Sequence, residues 1–374
     1  MNVALGLLIF LPFLTVIISI HELGHFMVAR HYGMKVNEYF IGFGPRIWST
    51  RKGELEWGVK ALPLGGYVKI AGMNPYEPVA PEDESRTYGA KPAYQRALTI
   101  FAGPGSHFVV AAILFAMTFY FFGDFRSTVP VVGSVESSLN GSPSPASDAG
   151  LLPGDVIVAV GSIQDPTQEQ LRDVITTGAT DHPGQPIDFV VMRDGQRLPL
   201  QIVPELATVD GQKIGRVGIV LGLEHIGVVG SIVAGVKEVG FAIQETFAQI
   251  GRVFGPQGIG RIFTLLTTDA NRTTSDATSV VGISQQVGAT SSSGDWGTVL
   301  YFFAFITVFI GLINLVPLPP FDGGHLAVVG YEKLTHHSVD MRKLIPVSAV
   351  VIAFFVLFVS ATMFLDFAKP IPTP

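Results

Sequence analysis

The sequence predicts a polytopic α-helical membrane protein with about four transmembrane helices, a membrane-associated β element and one extracytoplasmic β-rich domain. Three observations predict it. Hydrophobic residues make up 48% of the 374 and charged residues only 14%, with a mean hydropathy of +0.44, which is low in charge for a wholly soluble chain. Four stretches, roughly 2–27, 97–122, 296–315 and 344–364, are apolar over lengths that span about 30 Å of hydrocarbon. One polar interval, 129–206, instead alternates turn clusters with short strand-like runs. The net charge of −6 gives no reason to expect a nucleic-acid partner. With no cysteine, any metal must be held by His and carboxylates.

The first span, within 1–29, lacks a basic leading region and a small-residue cleavage site, so it is expected to stay in the chain as a helix. Between the first two spans, 30–96 carries ten Lys or Arg, among them Arg30, Arg51, Lys52 and Lys91. By the positive-inside rule this segment is cytoplasmic. Residues 123–295 hold as many basic residues over a much longer, net acidic stretch, and long domains translocate largely regardless of charge. This places the N-terminus, the large insert and the C-terminus outside, with 30–96 and the 316–343 loop inside.

The first span ends in His21-Glu22-Leu23-Gly24-His25. HExxH on a helix sets two imidazoles one turn apart on one face, where they can hold zinc, with the Glu free to act as general base. Ionisable groups at membrane depth are costly and usually functional. The first and third spans run in the same direction, so their C-terminal ends reach the same leaflet. The third ends in Asn314-Leu-Val-Pro317-Leu-Pro319-Pro320-Phe-Asp322-Gly323-Gly324, where the prolines unwind the backbone. Irregular backbone at this depth is tolerated only inside protein or lining a wet cavity. Asp322 therefore arrives level with His21 and His25, giving three ligands with water as the fourth, the pattern of catalytic zinc. Taken alone, Asp322-Gly-Gly reads as an ordinary turn; paired with HExxH it reads as a ligand. His325, His336 and His337 read as solvated loop residues.

HELGHF, PLGGYVKIAGM at 63–73 and NLVPLPPFDGG at 314–324 together resemble the site-2 protease family, and most nearly its bacterial regulator-of-sigma-E branch, which carries extracytoplasmic PDZ domains. The resemblance covers nearly the whole chain. It implies an intramembrane zinc metalloprotease, with His21, His25 and Asp322 as zinc ligands, Glu22 as catalytic base and Asn314 in contact with substrate. The chain departs from the family where Gly-Pro-x-x-Asn is usual: it reads Gly103-Pro104-Gly105-Ser106-His107. His107 is expected to substitute near the active site, in contact with substrate, against the alternative of a helix-packing or interfacial imidazole. Phe321 stands where the family has Leu.

The 33–73 segment has strand character, with alternating runs at 55–60 and 67–70 bounded by Gly and Pro. Read alone it is a small solvated sheet; the resemblance implies a membrane-associated β element whose edge pairs with an unwound substrate. A polar connector follows at 75–84, then the second helix at 97–122. The 129–206 region, with its Gly150-Leu-Leu-Pro-Gly154-Asp155 run, a helix-compatible stretch at 166–177 and a tight turn at Arg193-Asp-Gly195, resembles one PDZ domain. Within 207–295, the 228–265 stretch has helical apolar spacing and is expected to lie as an amphipathic helix on the outer leaflet, with packing against the PDZ-like domain as the alternative. The Ser/Thr/Gly-rich 274–293 stretch reads as a loop into the third helix and unwound segment, 296–324, and a fourth helix spans 344–366.

The expected function is regulated intramembrane proteolysis: zinc-dependent cleavage in or near the transmembrane segment of a single-pass membrane protein, plausibly an anti-sigma factor. The expected site is the bacterial cell membrane, with the zinc towards the cytoplasm. The other expected partners are the lipid bilayer and a peptide or protein ligand of the PDZ-like domain. The alternative is a non-catalytic membrane PDZ receptor with a structural or vestigial zinc. An intact Glu22 argues against it, since a structural site needs ligands but no base. A zincin with a soluble catalytic domain would take its third ligand from a soluble downstream helix, whereas the candidate here ends a membrane span.

Overall fold

The computed structural model describes residues 2–371 apart from 75, 140, 210, 211 and 274. Pro75 and Thr274, where the expected connector and loop begin, thus lie outside the described residues. The chain divides into two compact units: Met1–Ala116 with Ile232–Pro374, and Met117–Ser231. Among the described residues, four helical stretches are long and apolar enough to cross a membrane: Val3–His31, Ala93–Phe122, Trp296–Asn314 and Met341–Ala368.

Helix α1 (Asn2–His31) runs four residues past the expected end at Met27, with Arg30 and His31 in its last turn, where cations complement the helix dipole. Strands β1 (Val36–Lys52) and β2 (Leu55–Ile70) form a two-stranded antiparallel sheet that folds on itself. Arg46 to Lys52 pairs with 55–60, while 36–41 pairs with 66–70, so Tyr39 faces both Val68 and Trp57. Among the described residues, 66–70 therefore has a strand on one side only. The sheet is fastened along α1: Thr15 Oγ1 donates to the Pro63 carbonyl, and the Tyr39 hydroxyl donates to the Ser19 carbonyl at 2.8 Å. Ala29, Met34, Val36, Ile70 and Tyr88 form the core beneath it, together with Ile100 of helix α2 (Ala93–Phe122).

The second unit is built on a sheet in the order β12-β3-β6-β8-β9. Strand β3 (Val131–Val135) is followed by a small hairpin, β4 (Ser138–Leu139) and β5 (Ser142–Pro143), and by the single turn α3 (Pro145–Asp148). Next come β6 (Val156–Val160), β7 (Ile163–Gln164) and helix α4 (Gln168–Asp181), which starts with a Thr167/Gln170 capping box. Strands β8 (Ile187–Arg193) and β9 (Gln196–Ile202) close on Asp194 (φ 50°) and Gly195 (φ 79°), two left-handed residues as a tight hairpin requires. Leu171 and Ile175 of α4 bury against Ile157, Phe189, Val191 and Ile202 of the sheet. Asp155, the last residue of the turn run read from the sequence, takes a fork from Arg193 Nε and Nη2 at 2.7 and 2.6 Å and the Leu152 N–H at 2.9 Å. After β10 (Glu205–Val209) and β11 (Gln212–Arg216), β12 (Ile219–Gly222) pairs with β3. This corrects the expected boundary at 206: the outermost strand of the sheet comes from beyond it. At four residues β12 is too short to show a period, and its partner lies more than eighty residues upstream.

The chain returns to the first unit through α5 (Val228–Phe254) and α6 (Pro256–Thr267), split at Gly255 and Pro256, where the proline fits the first helical position. On α5, Val236 and Phe247 are exposed while Glu238 and Thr246 are buried, the reverse of a helix in water. Two expected loops are helices instead. Within 274–293 lies α7 (Val280–Ser292), capped by Ser279. Its small residues let it press on α1: a Cβ at Gly6 would lie 1.7 Å from the Ser284 carbonyl oxygen. Phe10 of α1, Val287 of α7, and Val299 and Phe303 of α8 (Trp296–Asn314) share one core. Within 316–343 lies α9 (Asp322–Thr335), so Asp322 sits in a first helical turn rather than on unwound chain. Helix α10 (Ile345–Ala368) ends on a buried ion pair, Asp366 Oδ1 with Arg272 Nη1 at 2.7 Å.

Candidate metal centre

Three elements of the first unit build the site. Helix α1 supplies His21, Glu22 and His25 from consecutive turns of one face, with both imidazoles buried. The turn from α8 to α9 supplies Asp322. That turn is tight: a Cβ at Gly323 would fall 2.2 Å from the Leu315 carbonyl oxygen, which explains glycine after the aspartate. Helix α2 closes the site from the other side. A Cβ at Gly103 would lie 2.3 Å from His25 Nε2 and 2.8 Å from His21 Nε2, so only glycine lets α2 cross the two rings at this distance.

The three groups converge through one atom each. His21 Nε2 and His25 Nε2 are 3.0 Å apart, and Asp322 Oδ2 is 3.0 Å from the first and 3.3 Å from the second. His25 Nδ1 lies 2.8 Å from the Thr99 carbonyl oxygen. A carbonyl only accepts, so Nδ1 carries the proton and the neutral ring offers a bare lone pair at Nε2. His21 Nδ1 lies 3.0 Å from Nε2 of His107, which is 1% exposed on α2. Asp322 Oδ2 is buried and has no hydrogen-bond partner. A buried carboxylate oxygen left without a hydrogen-bond partner beside two ring nitrogens is an arrangement that a cation would satisfy. Ligands about 2.0–2.1 Å from a tetrahedral zinc stand about 3.3 Å from one another, close to the edges seen here. The residues present fit the metal, and among the described residues this is the only cluster of three or more such groups.

Glu22 lies beside the pair on the side of the β sheet. Its Cγ lies 3.5 Å from where a Gly66 Cβ would stand. The residue next to the ligands in sequence thus faces the one-sided strand 66–70. Asn314, half-buried, is the last residue of α8. His325 is in the first turn of α9, half-buried rather than in a solvated loop, and lines a cavity of about 480 Å³ with Tyr67, Lys69 and Glu77. His336 ends α9 in the left-handed region, with His337 exposed beside it. Sequence reasoning missed the Thr99 carbonyl, because a main-chain group leaves no mark in the residue pattern.

Comparison with known proteins bears on this geometry. The model of the peptidase family M50 matches residues 9–358. The chain is similar to zinc metalloprotease Rip1 of Mycobacterium tuberculosis strain H37Rv, 31% identical over 403 residues covering 98% of each chain. It is also similar to a putative zinc metalloprotease of Brucella suis, 31% identical over 87% of this chain and 85% of that one. A putative zinc metalloprotease of a Nostoc species is 32% identical over 86% of this chain and 84% of that one.

Proposed function

Because this chain belongs to peptidase family M50 and is a zinc metalloprotease of the site-2 type, we propose that it cuts a peptide bond in or beside the transmembrane segment of a single-pass membrane protein. His21, His25 and Asp322 hold the zinc, Glu22 is the general base, and Asn314 contacts the substrate. The observation that carries this reading is the convergence of two imidazole nitrogens and an otherwise unpaired carboxylate oxygen within 3.3 Å of one another, with Glu22 next in the chain.

The zinc, when bound, supplies Lewis acidity to water and to the peptide carbonyl. The rest is done by side chains. The Thr99 carbonyl holds the His25 ring in the one tautomer that presents Nε2. Glu22 takes a proton from the attacking water and delivers it to the leaving amine. A helical substrate hides its peptide bonds; pairing with the open side of 66–70 would hold it extended alongside Glu22, whose Cγ lies next to Gly66 of that strand. The substrate is plausibly an anti-sigma factor, cut after another protease has trimmed its outer part. The 129–222 β unit acts as a PDZ-like domain on the outer side.

Glu22→Gln tests the proposal. The change is nearly isosteric, keeps hydrogen-bonding shape and cannot accept the proton. The variant is expected to retain zinc while cleavage falls by about 100-fold or more. Membrane-protein fragments compared by mass spectrometry in cells carrying either form should then differ in the substrate's products. Cleavage at an undiminished rate would refute the role.

A further inference from the structure

We propose that His107 is a positioning residue for His21, fixing the tautomer and ring plane in which that ligand presents Nε2 to the metal; this rests on the ligand set proposed above. The His107 ring is 1% exposed, its Nε2 is 3.0 Å from His21 Nδ1, and the two ring centroids are 5.1 Å apart at 45°. Only one arrangement of protons along this contact leaves the ligand usable. If His107 Nε2 carried the proton and donated it, neutral His21 would hold its own proton on Nε2, where the metal must bind. With the proton on His21 Nδ1, His107 accepts through Nε2 and keeps its own proton on Nδ1. Metal-ligating histidines regularly need such a partner for the second ring nitrogen.

Helix α2 thereby serves both ligands by different means. For His25 it offers the Thr99 carbonyl, which can only accept; for His21 it offers an imidazole, which could do either. The second arrangement needs the His107 side chain held where Nε2 meets His21 Nδ1, and packing fixes its stem. On its far side α8 approaches so closely that a Cβ at Gly311 would lie 2.9 Å from His107 Cβ and 3.4 Å from its Cγ. The stem of the side chain is thus held against Gly311 while its far nitrogen meets His21. A neutral acceptor also adds no charge to this buried position between helices. This role differs from the substrate contact expected from sequence: Nε2 is already engaged by the ligand.

The test compares full-length protein purified in detergent with its His107→Gln, His107→Phe and His21→Ala variants, reading zinc content and the rate of zinc loss to a chelator. The Gln side chain can place its amide oxygen where Nε2 lies, whereas Phe keeps the volume and removes the acceptor. His107→Phe is expected to lose zinc roughly 10–100-fold more readily than the native chain. His107→Gln should recover most of that loss. If His107→Phe does not fold, His107→Ala takes its place in the same comparison. Native zinc retention without an acceptor at 107, or equal loss in the Gln and Phe variants, would overturn the positioning role. His21→Ala separates the two readings: if it keeps its zinc, the ligand set fails, while a zinc-free His21→Ala beside a fully loaded His107→Phe rejects the positioning role alone.

Discussion

The spacing of His21 and His25 suggested that their rings meet, because an i, i+4 pair on a helix shares one face, and the membrane span before them sharpened the reading. Asp322 was legible only in combination, since Asp-Gly-Gly is common turn chemistry. The structure adds what makes the aspartate unusual: its Oδ2 is buried beside two ring nitrogens without a hydrogen-bond partner. If it is a ligand, Asp322→Ala removes one of three protein donors and the only negative charge among them. Zinc bound to the purified protein should fall well below one equivalent, and elemental analysis measures it directly. Full occupancy in that variant would remove Asp322 from the ligand set. The Gly103 contact and the His107 contact could not be read in the same way. A glycine in Gly-Pro-Gly suggests a bend; that a Cβ there would fall 2.3 Å from His25 Nε2 is a fact of helix crossing.

Whole elements were misread where local composition and tertiary context disagree. The 274–293 stretch has the residues of a loop, yet α7 forms there because Gly and Ser permit close helix contact in apolar surroundings, as Ser284 does against Gly6 of α1. Its start is pinned from a distance. Asp366, near the end of α10, accepts from the Ser279 hydroxyl at 2.6 Å and from the Ser279 and Gly282 N–H groups at 2.9 and 3.0 Å. It also pairs with Arg272, whose side chain is fully buried. No local pattern announces a clasp spanning ninety-four residues. Removing one partner strands a buried charge and should cost about 3–5 kcal/mol. Arg272→Met is therefore expected to lower the thermal midpoint in detergent markedly, and adding Asp366→Leu should restore part of it. A single variant as stable as the native chain would show that the pair does not hold α7 and α10 together.

At the scale of the molecule, the charge count proposes that 30–96 and the zinc face the cytoplasm, while 123–295 lies outside. The chain has no cysteine, so single probes at exposed Thr50 and Ser162 report each side cleanly. In intact cells a membrane-impermeant thiol reagent should label Ser162→Cys and spare Thr50→Cys; the opposite pattern would invert the topology.

On the proposed topology the β unit would have no part in the chemistry and would have a different task. Its own architecture suits an insert that can be tested by removal. The chain enters and leaves side by side, with Asp124 N–H donating to the Glu224 carbonyl at 2.8 Å and the Ser127 hydroxyl to the Glu224 carboxylate at 2.5 Å. Its core, from Val132 to Ile219, is complete within the unit. Deleting 131–222 therefore removes all six strands of the main sheet, and a short flexible linker can join ends that already lie together. If the unit tests how bulky a substrate's outer portion is before the span enters, the shortened protein should keep its zinc and also cut substrates whose outer domains have not been trimmed. Cleavage of both forms, followed side by side on one substrate, reads this directly. Should the shortened protein keep its zinc and still cut only the trimmed form, the unit is no selector, and its α4 and sheet must serve a partner other than the substrate.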